Sequence, residues 1–204
     1  MAVLHRICYH SATHPMDYHV RHLPHWDPGG RTIFLTWRLH GSLPGDVIAR
    51  LKRERSTSAG RDFVKADRAL DMARAGPLWL NDARIAECVV AALYRGDHEL
   101  HQYTLRAFVV MPNHVHALLD PAVSLERITN GIKGVTAREA NQILGRTGLH
   151  FWQDETFDHW IRNGTQFDRV RFYIEHNPVA SGLVKNPENW PWSSASRTAT
   201  LGCP

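Results

Sequence analysis

Within VVMPNHVHALLD, residues 109–120, two histidines stand in an otherwise apolar run with only Val115 between them. In an extended chain alternate residues project to the same side. His114 and His116 are therefore aimed at one spot, while Val115 faces the other way. The preceding YTLRAFVV also has strand character, and Pro112-Asn113 suits the two central positions of a tight reversal. The stretch predicts a hairpin whose second strand opens with the histidine pair, so any fold for this chain has to contain an antiparallel strand pair.

The flanking segments supply the remaining elements. In RTIFLTWRLHGSLP (31–44), Ile33, Leu35, Trp37 and Leu39 alternate with Phe34, Thr36, Arg38 and His40, the period of a strand, closed by Gly41 and Pro44. From Gly45 to about Asp82 the chain is polar and of helical period, with breaks at Gly60 and Gly76; its paired basic and acidic residues read as a solvated helix face. LNDARIAECVVAALYRGD (80–97) places Ile85, Cys88, Val89, Ala92 and Leu93 on one helical face behind Asn81 or Asp82 as cap. SLERITNGIKGVTAREANQILGR (124–146) opens on a Ser124 cap, buries Leu125, Ile128, Ile132 and Val135, and carries Lys133, Arg138 and Arg146 on its polar side. HFWQDETFDHWIRN reads as a short extended piece. TQFDRVRFYIEHNPVASGLV (165–184) is a helix with Phe167, Val170 and Ile174 inward, expected to end near Asn177 because the residue before a proline avoids the helical region. This order predicts an α+β fold, a ferredoxin-like antiparallel sheet with helices packed on it. Residues 1–30, rich in His, Pro and Gly, are expected as an irregular arm, and 31–204 as one domain with a helical insertion at about 45–80.

Composition narrows the class. With 43% hydrophobic and 22% charged residues the chain reads as an ordinary globular protein, with no apolar run long enough to span a membrane, so a cytoplasmic, non-membrane protein is expected. Cys8, Cys88 and Cys203 are scattered and show neither disulfide nor zinc-knuckle spacing. A net charge of +4 and a pI of about 9.2 allow a polyanionic partner without requiring one.

Two imidazoles on one strand face suit a divalent metal, since neutral His nitrogen ligates Mn, Co, Ni or Zn and is tolerated by Mg when oxygens complete the shell. Two polar residues on a solvent-facing strand side would give the same pattern. The last helix adds a second pair: Tyr173 and Asn177, at i and i+4, share one face. A phenol can act as a nucleophile when a nearby cation polarises a phosphate; a half-buried packing tyrosine is the alternative.

The motifs VVMPNHVHALL, IKGVTAREANQILGRTG, FWQ, ETFDHWIRN and VRFYIEHNPVASGLVKNPENWPWSSA together resemble the REP-associated tyrosine transposase group of the single-tyrosine HUH (IS200-like) transposases, as do RTIFLTWRLHGSLPG and GPLWLNDARIAECVVAAL nearer the N-terminus. The resemblance runs from about residue 18 to 198. It implies a transposase or DNA endonuclease acting on single-stranded or hairpin DNA, with His114 and His116 matching the metal-binding pair, Asn177 the third ligand and Tyr173 the nucleophile. The implied cofactor is Mg²⁺ or Mn²⁺, and the implied reaction is transesterification through a 5′-phosphotyrosine link. It leaves open a monomer or a homodimer.

For DNA contacts the candidates are Lys133, Arg138, Arg162 and Arg169, each equally readable as a solvated surface charge. Trp152 could stack on a base or belong to the core, and Trp190 and Trp192 read as packing for the tail. A non-catalytic DNA-binding module derived from such a transposase is the alternative function, and a hydrolase using water a third.

Overall fold

The computed structural model describes residues 32–54, 56, 59–72 and 76–196; the expected N-terminal arm lies outside the described residues. Four strands, β1 (Ile33–Arg38), β2 (Tyr103–Val110), β3 (His114–Pro121) and β4 (Phe157–Trp160), form one sheet in the order β2-β3-β1-β4. Every pairing is antiparallel. The helices are α1 (Gly45–Arg53), α2 (Ala59–Asp71), α3 (Ala83–His98), α4 (Leu125–Ile143) and α5 (Gly164–Ala180). Apart from α1 and α2, which stand between β1 and α3, this is the expected ferredoxin-like layering.

Strand alternation sorts the sheet into two unlike faces. Ile33, Leu35 and Trp37 of β1, with Val115, Ala117 and Leu119 of β3, point into a core shared with Ile85, Val89 and Leu93 of α3 and Ile128 and Ile132 of α4. The other face carries Phe34, Val109 and Leu118, packed with Phe63 of α2 and Phe167, Val170, Tyr173 and Ile174 of α5. Both histidines lie on this second face, directly across the β1–β3 pairing from Thr36 and Arg38.

The caps follow their chemistry. Asp82 accepts from the Arg84 amide at the start of α3, and Ser124 from the Arg127 amide at the start of α4, each satisfying a donor that the first helical turn leaves free. Trp152 belongs to the core: it is buried, stands edge-on to Trp37, and its indole N–H donates to Thr136 at 2.9 Å. In the tail, the Trp190 indole donates to the Val110 carbonyl, and the Val110 amide to the Trp192 carbonyl, so this segment fastens to the edge strand β2.

One boundary differs from expectation. α5 does not stop at Asn177 but runs through Pro178 to Ala180. Proline removes a single helical hydrogen bond here, while the carbonyls of Asn177 and Pro178 still accept from the Ser181 and Leu183 amides at 2.9 Å. With Pro178 itself buried, packing outweighs the local bias of the preceding residue.

Gly96, in the last turn of α3, is held against Tyr103, whose hydroxyl donates to the Leu93 carbonyl at 2.8 Å. A Cβ at Gly96 would run into the Tyr103 hydroxyl and ring, neither of which is free to swing away. Gly96→Ala is expected to destabilise the fold by about 1–3 kcal/mol, as overpacking does, despite alanine's better helix propensity. Urea unfolding of the two forms measures this; an unchanged or raised midpoint would contradict the packing described.

Candidate active site

His114 and His116 are both fully buried, and their Nε2 atoms lie 3.2 Å apart. Each ring is held from behind. His114 Nδ1 lies 2.6 Å from Asn113 Oδ1, and His116 Nδ1 lies 2.7 Å from Thr36 Oγ1. The Asn113 amide is oriented in turn, because its Nδ2 donates to the Leu70 carbonyl at 2.9 Å and a carbonyl can only accept. Asn113 Oδ1 therefore accepts from His114 Nδ1–H, which leaves His114 Nε2 with a bare lone pair aimed at His116. Imidazoles pinned through one nitrogen with the other free are the usual arrangement of metal-binding histidines.

The third group at this spot comes from α2. Asp67, only 3% exposed, places Oδ1 3.3 Å from His116 Nε2 and 3.8 Å from His114 Nε2, and Asp71 Oδ1 lies 3.9 Å from His114 Nε2. Asp67, His114 and His116 can bring their ligand atoms within 4.8 Å of one another. Asp67 Oδ1 is buried without a well-directed hydrogen bond. Two nitrogens each about 2.1 Å from a common ion lie roughly 3.0–3.4 Å apart at angles between right and tetrahedral, so the histidine spacing fits a metal.

This overturns, for α2, the reading of residues 45–82 as a solvated helix face, whereas α1 buries no residue. The signal was available in the spacing: Phe63, Asp67, Leu70 and Asp71 share one side of α2, so both acids occupy positions where an amphipathic helix turns inward. Phe63 leads that stripe, packing face-on against Phe157 with centroids 4.2 Å apart and edge-on to Phe34.

The electrostatics follow from burial. Burial, with repulsion from His116, pushes the His114 pKa down to about 3 against the pull of Asp67. Burial and the neighbouring Asp67 charge push Asp71 up to about 7. Burial acts upward on Asp67 too, but the attraction of His116, helped by His114, leaves it below the ordinary carboxylate value.

The sequence candidates divide by place. Tyr173 on α5 reaches the pair: its ring centroid lies 5.6 Å from that of His116 and 6.3 Å from that of Phe34. One turn on, Asn177 is 1% exposed, with Oδ1 facing Ser181 Oγ at 3.4 Å. Arg162, just before the α5 cap Asn163, and Arg169 on α5 are exposed. Lys133 and Arg138 ride on α4, which packs the face opposite the histidines. Lys133 is moreover half-buried, donating to the Asp154 carbonyl and Thr156 Oγ1, and burial lowers its pKa to about 8 despite the nearby acids Asp154 and Glu155.

A pinned histidine pair lies on the sheet face covered by α2 and α5, and the last helix brings a tyrosine beside it, so two side chains able to ligate a metal stand next to a phenol. Residues 84–177 match the family profile described as Transposase IS200 like, a span that contains both histidines, Tyr173 and Asn177 but not Asp67. The chain is similar to the REP-associated tyrosine transposase of Escherichia coli K12, 29% identical over 101 residues, 49% of this chain and 59% of that protein. A Haemophilus influenzae protein assigned provisionally to the same group is 24% identical over 115 residues, 51% of this chain and 65% of the relative. The matches thus span less than two thirds of these relatives. The fold is shared with a solved REP-associated tyrosine transposase bound to a REP hairpin, at a TM-score of 0.55 and 20% identity over 90% of this chain and 87% of that one. The likeness carried by the motifs is upheld.

Asp71 supplies a pH test of the site in metal-free protein. Its raised pKa means that the native state binds more protons than the unfolded state between about pH 4 and 7, so its contribution to stability is present below pH 4 and lost as pH rises through about 7. Asp71→Asn removes that loss. Denaturation midpoints across this range should show Asp71→Asn gaining on wild type as pH rises; a constant difference would mean Asp71 ionises normally.

Proposed function

We propose that the protein is a metal-dependent single-stranded DNA endonuclease and strand transferase, a transposase of the tyrosine-nucleophile kind, acting on hairpin-forming repeat DNA. The observation that carries this reading is the approach of Tyr173 to His116 on the same sheet face as His114. The relatives' description and the hairpin bound by the structural neighbour support the choice of DNA. The catalytic domain covers residues 31–204, with α1 and α2 as a helical insertion and 1–30 as an arm.

In this reading His114, His116 and Asn177 hold Mg²⁺ or Mn²⁺, which when bound polarises the scissile phosphate. Tyr173 Oη attacks the phosphorus in line. The P–Oη bond forms as the P–O3′ bond breaks, the phenol proton passes in net to the departing 3′ oxygen, and the 5′ end stays on the protein. Because the phosphotyrosine keeps the diester energy, a 3′-hydroxyl can later reverse the step without a nucleotide cofactor. Arg162 and Arg169 neutralise phosphates on the α5 side. Lys133 and Arg138 serve a strand that wraps round to the opposite face.

Among the described residues no helix is long and apolar enough to cross a membrane. A cytoplasmic monomer or homodimer is the assembly proposed. The complete burial of both histidines favours, as a second reading, a DNA-binding module without catalysis.

Incubating the protein with single-stranded hairpin DNA and Mn²⁺ separates the readings. A denaturation-resistant protein–DNA adduct is expected, abolished in Tyr173→Phe. His114→Ala and His116→Ala should lose cleavage while keeping most DNA affinity, because phosphate contacts dominate binding. Tight binding with no adduct would leave the module, and cleavage surviving in Tyr173→Phe would leave a hydrolase.

A further inference from the structure

The charge balance around the histidines is incomplete. Through the Leu70 carbonyl and Asn113, His114 is fixed as the tautomer whose Nε2 lone pair is free. That lone pair faces His116 Nε2 at 3.2 Å and Asp67 Oδ1 at 3.8 Å, with His116 Nε2 and Asp67 Oδ1 separated by 3.3 Å. The His116 ring proton, placed on Nε2, can bridge to only one of the other two atoms, and Asp67 Oδ1 is buried without a well-directed donor. A buried carboxylate without compensation is strongly disfavoured. That proton relieves one of these contacts, whereas a divalent cation would relieve all three.

We propose that Asp67 is itself a ligand of the divalent cation, so that the helical segment between β1 and α3 adds a carboxylate to the set of His114, His116 and Asn177. The proposal rests on the reading of His114 and His116 as metal ligands and adds a group outside the stretch that matches the transposase family, residues 84–177. A hard carboxylate oxygen beside two imidazoles moves the preference toward Mn²⁺ and Mg²⁺ and away from ions that favour softer ligands. Since α2 covers both imidazoles, the carboxylate holds the position nearest them until a phosphate oxygen takes its place.

The test measures metal binding in the full chain stripped with chelator. Mn²⁺ is titrated by calorimetry and by loss of the free-ion paramagnetic resonance signal, for wild type, Asp67→Asn, Asp67→Glu and His114→Ala. Wild type should bind one Mn²⁺. Asp67→Asn, which keeps the side chain's size, should weaken binding at least about tenfold, on the scale that loss of a metal-supporting group produces. Asp67→Glu, which keeps the carboxylate, should recover part of that loss, and saturating Mn²⁺ should raise the melting temperature of wild type well above its effect on Asp67→Asn. Circular dichroism establishes that each variant is folded. If Asp67→Asn binds Mn²⁺ as tightly as wild type while His114→Ala does not bind it, the histidine site stands and Asp67 is only an ion-pair partner of His116. If wild type and His114→Ala are alike in failing to bind Mn²⁺, both the proposal and the metal reading fall.

Discussion

The side chain of Asn113 sets the geometry on which the centre depends. One end of its amide donates to the Leu70 carbonyl at the close of α2, and the other accepts from His114. This one residue, buried in the hairpin turn, joins the helical segment to the sheet and fixes which nitrogen of His114 is free. In a low-dielectric interior such a chain of hydrogen bonds tolerates little substitution, because any member left unpaired costs the full desolvation of its polar atom. Asn113 thus has a role in the turn beyond its backbone preference: an aspartate there would bring a second acceptor to the Leu70 carbonyl.

The sheet makes the arrangement affordable by dividing its labour between faces. Ile33, Leu35, Val115 and Leu119, all fully or almost fully buried against α3 and α4, provide the apolar core. Stability obtained there allows polar groups on the other face, where Thr36, His114, His116 and Asp67 are all buried. Phe34, Phe63 and Phe157 wall this cluster on one side, and Tyr173 closes it beside His116. The aromatic wall lowers the local dielectric. That depresses His114 and raises Asp71, and it also strengthens every charge interaction a bound phosphate would meet.

Much of this was legible in the chain itself, wherever periodicity alone decides. Alternation identifies His114 and His116 as same-facing, the i, i+4 rule pairs Tyr173 with Asn177, and the order of strands and helices predicts the layering. Three features depend on tertiary context and escaped that logic. Asp67 shares the stripe that Phe63 and Leu70 mark, but charged residues in a polar helix are ordinarily solvated, and only the sheet above establishes that this side is buried. Pro178 sits inside α5 because its burial outweighs a local preference. Lys133 lies on the expected helix, yet α4 takes it to the face away from the histidines, where the Asp154 carbonyl and Thr156 hold its amine.

The position of α2 decides how the proposed chemistry could begin. A phosphodiester cannot touch imidazoles that have no exposed surface, and a strand approaching from the α2 side would meet Asp67 and Asp71 before it met a histidine. The like charges oppose its entry, and the aromatic packing of Phe63 resists displacement. Contacts that hold the helix down include Phe63 on Phe157 and Phe34, Asp67 on His116, and the Leu70 carbonyl on Asn113. Moving α2 uncovers both imidazoles beside Tyr173. In the proposed cleavage, DNA binding is therefore coupled to the release of α2, and the proposed Asp67 ligand gives way to the arriving phosphate oxygen.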